Sequence, residues 1–319
     1  MRVVVFLGLL GWLLLSASPP AWAQSCPEGQ TSDCAPDVER DAVGCCPAKA
    51  KPVPNPGRFG PRPAPLAPKP RPVAPTASSR TLGVLRSIPA GQFTMGSPSS
   101  EPDRDGDEGQ VSVTISRPFL LMESEVTQGM WQAVMGSNPS GFSSCGSRCP
   151  VEQVIWFDAV RFANAVSERE GLRPAYRISG ESVTWDRGAN GYRLPTEAEW
   201  AWAARGGQSY VYAGSSDLGS VAWYGGNSRG KTQPVCGKRR NGYGLCDMSG
   251  NVWEWVWDRY GASLPGETDP SGAASGSARV YRGGSCFNDA RYTRVAYRDR
   301  DSPSSRYIIL GFRLLRPVP

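Results

Sequence analysis

The chain has 319 residues, a formal charge of +6 and no histidine. The missing imidazole excludes a serine–histidine–acid triad, a histidine-ligated zinc and a histidine-held iron, so any catalysis would fall to cysteine, carboxylate, lysine or tyrosine. The excess charge is modest and much of it sits in one linker, so it gives no footing for nucleic-acid binding, while eleven tryptophans and 37 glycines point to a loop-rich fold pinned by large aromatic anchors.

Residues 1–23 read as a secretory signal peptide: Arg2, an apolar run from Val3 to Leu15, and Ala21-Trp22-Ala23 before Gln24. The run falls short of the ~20 residues that cross a bilayer, so no transmembrane helix is expected in the mature chain. Lipid attachment at Cys26 would want a leucine that Ala23-Gln24-Ser25 does not supply. The expected location is exported, periplasmic or extracellular. Export lets disulfides persist, which changes the meaning of nine cysteines. Cys26, Cys34, Cys45 and Cys46 crowd a short Cys-rich segment, 24–46. Cys145 and Cys149 form a close pair, Cys236 and Cys246 bracket a short loop, and Cys286 is left over. An odd cysteine is a buried hydrophobe, an intermolecular partner or a reactive thiol.

Residues 47–81 form a linker: from Pro47 to Arg80 there are eleven prolines, seven Lys or Arg, and no acid. Such a composition makes an extended, disordered spacer that cannot bury a core. The globular part spans 82–319. Ile88 to Gly96 reads as a strand ended by glycine. Asp103, Asp105, Asp107 and Glu108 follow around Gly106, which stands at the fourth position of a would-be calcium loop rather than the sixth, with Thr114 where glutamate is needed. A solvated acidic loop is expected there. Val111, Val113 and Ile115 alternate with polar residues as in a half-buried strand.

Three helices are set by their ends. Thr127 caps one that runs through Met135 and stops at Gly136. Asp158 opens another through Glu170, stopped by Gly171. Thr196 and Glu199 form a capping box for the third, with Pro195 before it and Gly206 after it. Trp200 and Trp202 in its middle cannot both point fully inward. Beyond Gly206 come short strands and glycine-rich turns, and the order of elements is α+β. Near the C-terminus, Arg282-Gly283-Gly284-Ser285-Cys286-Phe287-Asn288-Asp289 leads through Arg291, Arg294 and Arg298 to Gly311-Phe312-Arg313. The paired glycines allow a tight bend, and the arginine spacing fits neither a strand nor a helix.

Five segments together resemble the formylglycine-generating enzyme, or sulfatase-modifying factor, family. They are Ile88-Pro89-Ala90-Gly91 with Met95-Gly96; Glu125-Val126-Thr127; Tyr192 to Trp200; Gly244 to Trp255; and the Arg282–Arg313 stretch. The resemblance covers residues 84–317 and implies a C-type-lectin-like α+β fold with limited regular secondary structure. It implies a copper-dependent oxidase that turns a sulfatase cysteine into formylglycine, with Cu(I) held by two thiolates. Counted from Ser285, those positions are Asn288 and Thr293, so copper is not expected and the scaffold is expected without the oxidase centre. A related branch that uses histidine-bound iron is excluded by the missing histidine, and a periplasmic relative associated with pyoverdine maturation keeps the fold without the cysteine pair.

The resemblance also implies structural calcium on the Asp247 and Glu254 carboxylates and the Gly250 and Val252 carbonyls, a hard-oxygen set. The alternative is that Asp247 caps a turn and Glu254 pairs with a buried arginine such as Arg313. A second family calcium site has no counterpart around Val221 to Tyr224. Disulfides Cys145–Cys149 and Cys236–Cys246 are expected, the latter holding the calcium turn. The expected function is a pseudoenzyme acting as a binding module for a peptide, a glycan or an envelope protein, through a pocket of Trp253, Ser285, Cys286, Asn288, Arg291 and Thr293. The competing reading is a divergent oxidoreductase that uses Cys286 with a lowered pKa.

Overall fold

A computed structural model describes residues 76–319. The signal peptide, the Cys-rich segment and the linker up to residue 75 lie outside the described residues. In chain order the elements begin with β1 (Thr76–Ser79), β2 (Gly83–Ile88), β3 (Gly91–Met95), β4 (Val111–Ile115), β5 (Phe119–Met122), α1 (Gln128–Met135) and α2 (Trp156–Arg169). Next come β6 (Tyr176–Ser179), β7 (Ser182–Trp185), α3 (Glu197–Arg205) and the single turn α4 (Leu218–Val221). The chain ends with β8 (Trp253–Arg259), β9 (Arg279–Arg282), β10 (Arg298–Asp301), β11 (Leu310–Phe312) and β12 (Leu315–Pro317).

Two four-stranded sheets carry the architecture, ordered β1-β2-β5-β12 and β10-β9-β8-β11, with two-stranded ribbons β3-β4 and β6-β7 beside them. The first sheet is antiparallel throughout and joins the start of the described chain to its end, Leu315 facing Leu121. In the second, β11 runs parallel to β8 and the other pairs are antiparallel. β1 lies within the segment that composition assigns to the linker. The last proline of that run is Pro75, so from Thr76 onward every residue has an N–H to pair, and Thr76 to Ser79 face Arg86 to Gly83.

The strand expected from Ile88 to Gly96 is two strands in different sheets. Pro89 has no N–H to continue the ladder, and its carbonyl instead accepts the Trp202 indole N–H at 2.7 Å. β4 is half-buried as its alternation requires. α1 starts and stops as its caps dictate: Thr127 Oγ1 accepts the Met130 N–H, and Gly136 adopts φ +82°. α2 begins two residues earlier than Asp158 suggests. Asp158 is the third helical residue, where its carboxylate reaches back to the Ile155 N–H at 3.3 Å. α3 has the reciprocal capping box, Glu199 N–H to Thr196 Oγ1 at 3.2 Å and Thr196 N–H to Glu199 Oε2 at 2.8 Å. Of its two tryptophans, Trp200 is buried and Trp202 half-buried.

Tryptophans lock the core across elements. Trp131 of α1 stacks on Phe162 of α2 with centroids 5.2 Å apart. The Trp156 indole donates to the Val256 carbonyl at 2.8 Å, and the Trp255 indole returns a bond to the Val154 carbonyl at 3.1 Å. These rings are buried, and those of Trp156 and Trp255 have their polar edges satisfied, so truncating one would cost on the order of 3–5 kcal/mol.

Candidate functional site

The Arg282–Arg313 stretch turns sharply at its glycines. Gly283 and Gly284 have φ of +98° and +73°. A Cβ on Gly284 would meet the Tyr292 carbonyl at 2.8 Å. The chain therefore folds back on itself between Ser285 and Thr293. The three arginines that fit no period each reach another part of the molecule. Arg294 holds Glu108 through both nitrogens at 2.8 and 2.6 Å and also binds Glu101 at 2.7 Å. Arg291 pairs with Asp105 at 2.7 Å, and Arg298 is bidentate to Glu197 at 2.8 and 2.7 Å. The acidic loop is thus clamped rather than solvated: Glu108 is fully buried, and Ser97 Oγ and the Asp105 N–H also donate to it. Burial alone would raise the Glu108 pKa, but the hydrogen bonds from Arg294, the Asp105 N–H and Ser97, together with the Arg294 charge, outweigh it and hold the carboxyl below its ordinary range.

Behind this clamp, the β10-β9-β8-β11 sheet floors a cavity of about 360 Å³. Each strand contributes one side chain to it: Asp299, Tyr281, Trp253 and Leu310. Asn288, Tyr292, Tyr307 and Ile309 close it from the loops. Trp253 and Tyr281 meet edge to face at 5.1 Å, and Tyr292 meets Tyr297 in the same way at 5.0 Å. Tyr307 of this lining is exposed, as are Phe287 and Ile308, the chain neighbours of the lining residues Asn288 and Ile309. Phe287 packs edge-on against Phe142 at 6.0 Å.

Of the six residues expected to form a pocket, Trp253 and Asn288 line this cavity. Ser285 is fully buried, its hydroxyl donating to Asn288 Oδ1 at 2.5 Å, and so sets the Asn288 amide. Thr293 is fully buried and donates to the Ala290 carbonyl at 2.8 Å. Arg291 is spent on Asp105. Cys286 is fully buried and is the free cysteine among the described residues. Burial pushes its thiol up to about 12, the reverse of the lowered pKa that a reactive cysteine needs. An amide, a hydroxyl and one protonated thiol are not a donor set for Cu(I), so the residues present do not fit copper. The lining residues that sequence reasoning passed over are Tyr281, Tyr292, Asp299, Tyr307, Ile309 and Leu310. For Asp299 the signal is the alternation in β10, where Arg298 and Arg300 both lie over the Tyr260 ring while Asp299 hydrogen-bonds Tyr281.

The turn expected to hold calcium lies beside the cavity floor. Gly250 has φ +84°, and a Cβ there would collide with the Trp223 carbonyl at 2.2 Å. Glu254 is fully buried and bidentate to Arg313 at 2.7 Å on each oxygen, with the Trp200 indole adding a bond at 2.9 Å. Asp247 Oδ2 accepts the Cys236 N–H at 2.6 Å, whereas its Oδ1 and both oxygens of Glu125 are buried without a hydrogen-bond donor. Burial, and then the Asp247 charge, push Glu125 well up; burial also raises Asp247, to about 6. The donor set therefore fits a hard cation in part: Asp247 has an oxygen to give, and Glu254 is already engaged by Arg313. Cys145–Cys149 and Cys236–Cys246 are disulfides, with Cα atoms 5.9 and 5.1 Å apart. The latter lies beside Glu123, which Arg86 and Arg240 hold. A larger hollow of about 620 Å³ includes Trp185, sandwiched between Arg187 and Arg193. Its buried charge, Arg193, is already bidentate to Glu199 at 2.7 Å.

Among the described residues, no helix is long and apolar enough to cross a membrane. The family described as "Sulfatase-modifying factor enzyme 1-like domain" matches residues 71–318. The chain is 36% identical over 240 residues to "Chaperone protein LppX" of Paenibacillus barcinonensis, which covers 64% of this chain and 82% of that protein. It is 32% identical over 280 residues to the formylglycine-generating enzyme of Streptomyces coelicolor, covering 73% and 88%. Among solved structures, Treponema denticola variable protein 1 superposes with a TM-score of 0.69 at 36% identity, covering 78% of this chain and all (100%) of that one. The fold is the expected C-type-lectin-like α+β fold with limited regular secondary structure.

Proposed function

The chain belongs to the sulfatase-modifying factor enzyme 1-like domain family, and from that premise we propose that it is an exported binding module without formylglycine-generating activity. Its ligand is a peptide, a glycan or an exposed segment of an envelope protein, taken up in the cavity that Trp253 and Asn288 line. The observation that carries this reading is the lining itself: aromatic faces and an oriented amide, Asn288, with Asn288 and Thr293 at the two positions where the resemblance places thiolates. The exposed rim of Phe287, Tyr307 and Ile308 supports it, since clustered exposed apolar side chains mark binding surfaces. A relative described as a chaperone protein accords with a binding role. Export is supported by the sequence of residues 1–23 and by two disulfides, which persist outside the cytosol.

Peptide and glycan arrays probed with the intact protein test the proposal. Binding is expected, and a Phe287→Ser/Tyr307→Ser variant of the rim is expected to lose it. Stoichiometric Cu(I) binding, or turnover of a Cys-X-Pro-X-Arg peptide, would replace the module with an oxidoreductase. The same reading includes a structural calcium on Asp247 and the Gly250 and Val252 carbonyls, with Glu125 as the further carboxylate in place of Glu254, which Arg313 holds. The donor-less oxygens of Asp247 and Glu125 support it. Chelation should lower the melting temperature of the wild type and leave Asp247→Asn unmoved. An unchanged wild-type melting temperature removes the ion.

A further inference from the structure

The cavity wall holds a carboxylate that no ion pair among the described residues includes. Asp299 is the one charged residue among those lining it. Its carboxylate is half-buried and accepts bonds from the Arg300 backbone N–H at 2.8 Å and from the Tyr281 hydroxyl. None of the ion pairs among the described residues involves it. Arg300 acts on it through its charge without forming an ion pair, and the other neighbouring arginines are engaged elsewhere. Arg298 and Arg300 lie over the Tyr260 ring at 4.8 and 4.1 Å, and Arg291, over the edge-on Tyr292, is paired with Asp105. Asp301 adds a second acid nearby, held by the Tyr307 hydroxyl at 2.5 Å. The hydroxyls of Tyr281 and Tyr297 are pushed up by burial and then by the Asp299 charge, which marks the region as electronegative.

Aromatic faces around one carboxylate that no ion pair includes form an arrangement that attracts an organic cation, through the ring quadrupoles and the counter-charge together. We propose that this cavity takes an organic cation, with Asp299 as its counter-ion and Trp253, Tyr292 and Tyr307 as aromatic walls. Ile309 and Leu310 receive the alkyl part. The cation has two natural sources, the side chain of a peptide lysine or arginine and a quaternary ammonium head group. The inference rests on the binding-module reading and narrows it to one ligand chemistry.

Isothermal titration of the intact protein separates the alternatives. The probes are choline, its uncharged isostere 3,3-dimethylbutanol, and N-acetyl-arginine amide. At least one cation should bind about tenfold more tightly than the isostere, and which of the two does so identifies the source. Asp299→Asn should erase that ratio while keeping the wild-type melting temperature. Tyr307→Ala, at an exposed wall, should weaken the cation without altering the fold. Equal affinity for choline and its isostere, no binding of either cation, or an undiminished ratio in Asp299→Asn each overturns the inference. If the cations fail while array ligands still bind and the rim variant loses them, the binding module stands and only its cationic ligand falls. If the arrays fail as well, both fall.

Discussion

Replacing Arg294 with methionine tests the clamp that closes the site from behind. The guanidinium is 2% exposed and the Glu108 carboxylate 0%. Five hydrogen bonds leave Arg294, to Glu101, to both oxygens of Glu108 and to the carbonyls of Asp103 and Arg291. Methionine keeps the aliphatic stem and removes the charge, which leaves Glu108 ionised, buried and uncompensated. Removing one partner of a buried pair costs about 3–5 kcal/mol. At about 2–4 °C per kcal/mol for a domain of this size, the melting temperature should fall by roughly 6–20 °C. Glu108→Gln removes the charge and keeps one acceptor oxygen for either the Ser97 hydroxyl or the Asp105 N–H, so Arg294→Met/Glu108→Gln should recover part of the loss. Urea unfolding of the four proteins gives the coupling, and digestion at Glu101 by a glutamate-specific protease reports release of the loop. If Arg294→Met costs under about 1 kcal/mol, or the double variant equals the sum of the singles, the two groups are not a buried pair in solution and the account of the loop is wrong.

Three further outcomes follow from the same interior. Burial would raise the Glu197 pKa, but the Arg282 and Arg298 charges outweigh it and the carboxyl lies below its ordinary range. A depressed folded pKa contributes stability above the unfolded value of about 4.3, lost as pH falls through the folded one. The margin of wild type over Glu197→Gln in urea should therefore shrink as pH is lowered from about 6 toward about 3, and a constant margin would refute the pairing. Gly284→Ala combines a left-handed backbone with contacts at 2.8 Å to the Tyr292 carbonyl and Thr293 Cγ2. It should cost about 2–4 kcal/mol by calorimetry, and a neutral result would mean that the bend is drawn too tightly. Cys286 should resist thiol reagents in the folded protein and react at once in denaturant; rapid native labelling would restore the case for a reactive thiol.

Local chemistry made parts of the fold legible and long-range chemistry hid others. The α3 capping box needs only Thr196 and Glu199, three residues apart, and the structure has it as read. α2 starts two residues before Asp158 because an aspartate can serve a helix from its third position as well as from its cap, and the residue letter alone does not say which. The acidic loop was expected to be solvated because its partner, Arg294, lies 186 residues beyond Glu108 in the chain. No local pattern links two segments that meet only after the sheet has formed. The arginine spacing that fitted no period was the visible half of that contact.

The site divides along the same line. The glycines, Arg282 and Arg313 in the recognisable stretch act through backbone geometry and buried bonds. Arg282 donates to the carbonyls of Val295, Ala296 and Tyr297, and Arg313 to Met122, Glu123 and Cys246. These contacts bind main-chain groups, so they preserve the bend and the floor whatever side chains stand between them. The cavity lining meets no such demand. Asn288 is presented by Ser285, and Asp299 by the pleat of β10, which turns its neighbours Arg298 and Arg300 toward Tyr260. A scaffold held this way can exchange its reactive side chains without losing its shape. The same stretch can therefore identify the family, carry Asn288 and Thr293 at the positions where the resemblance places thiolates, and still help to line a cavity.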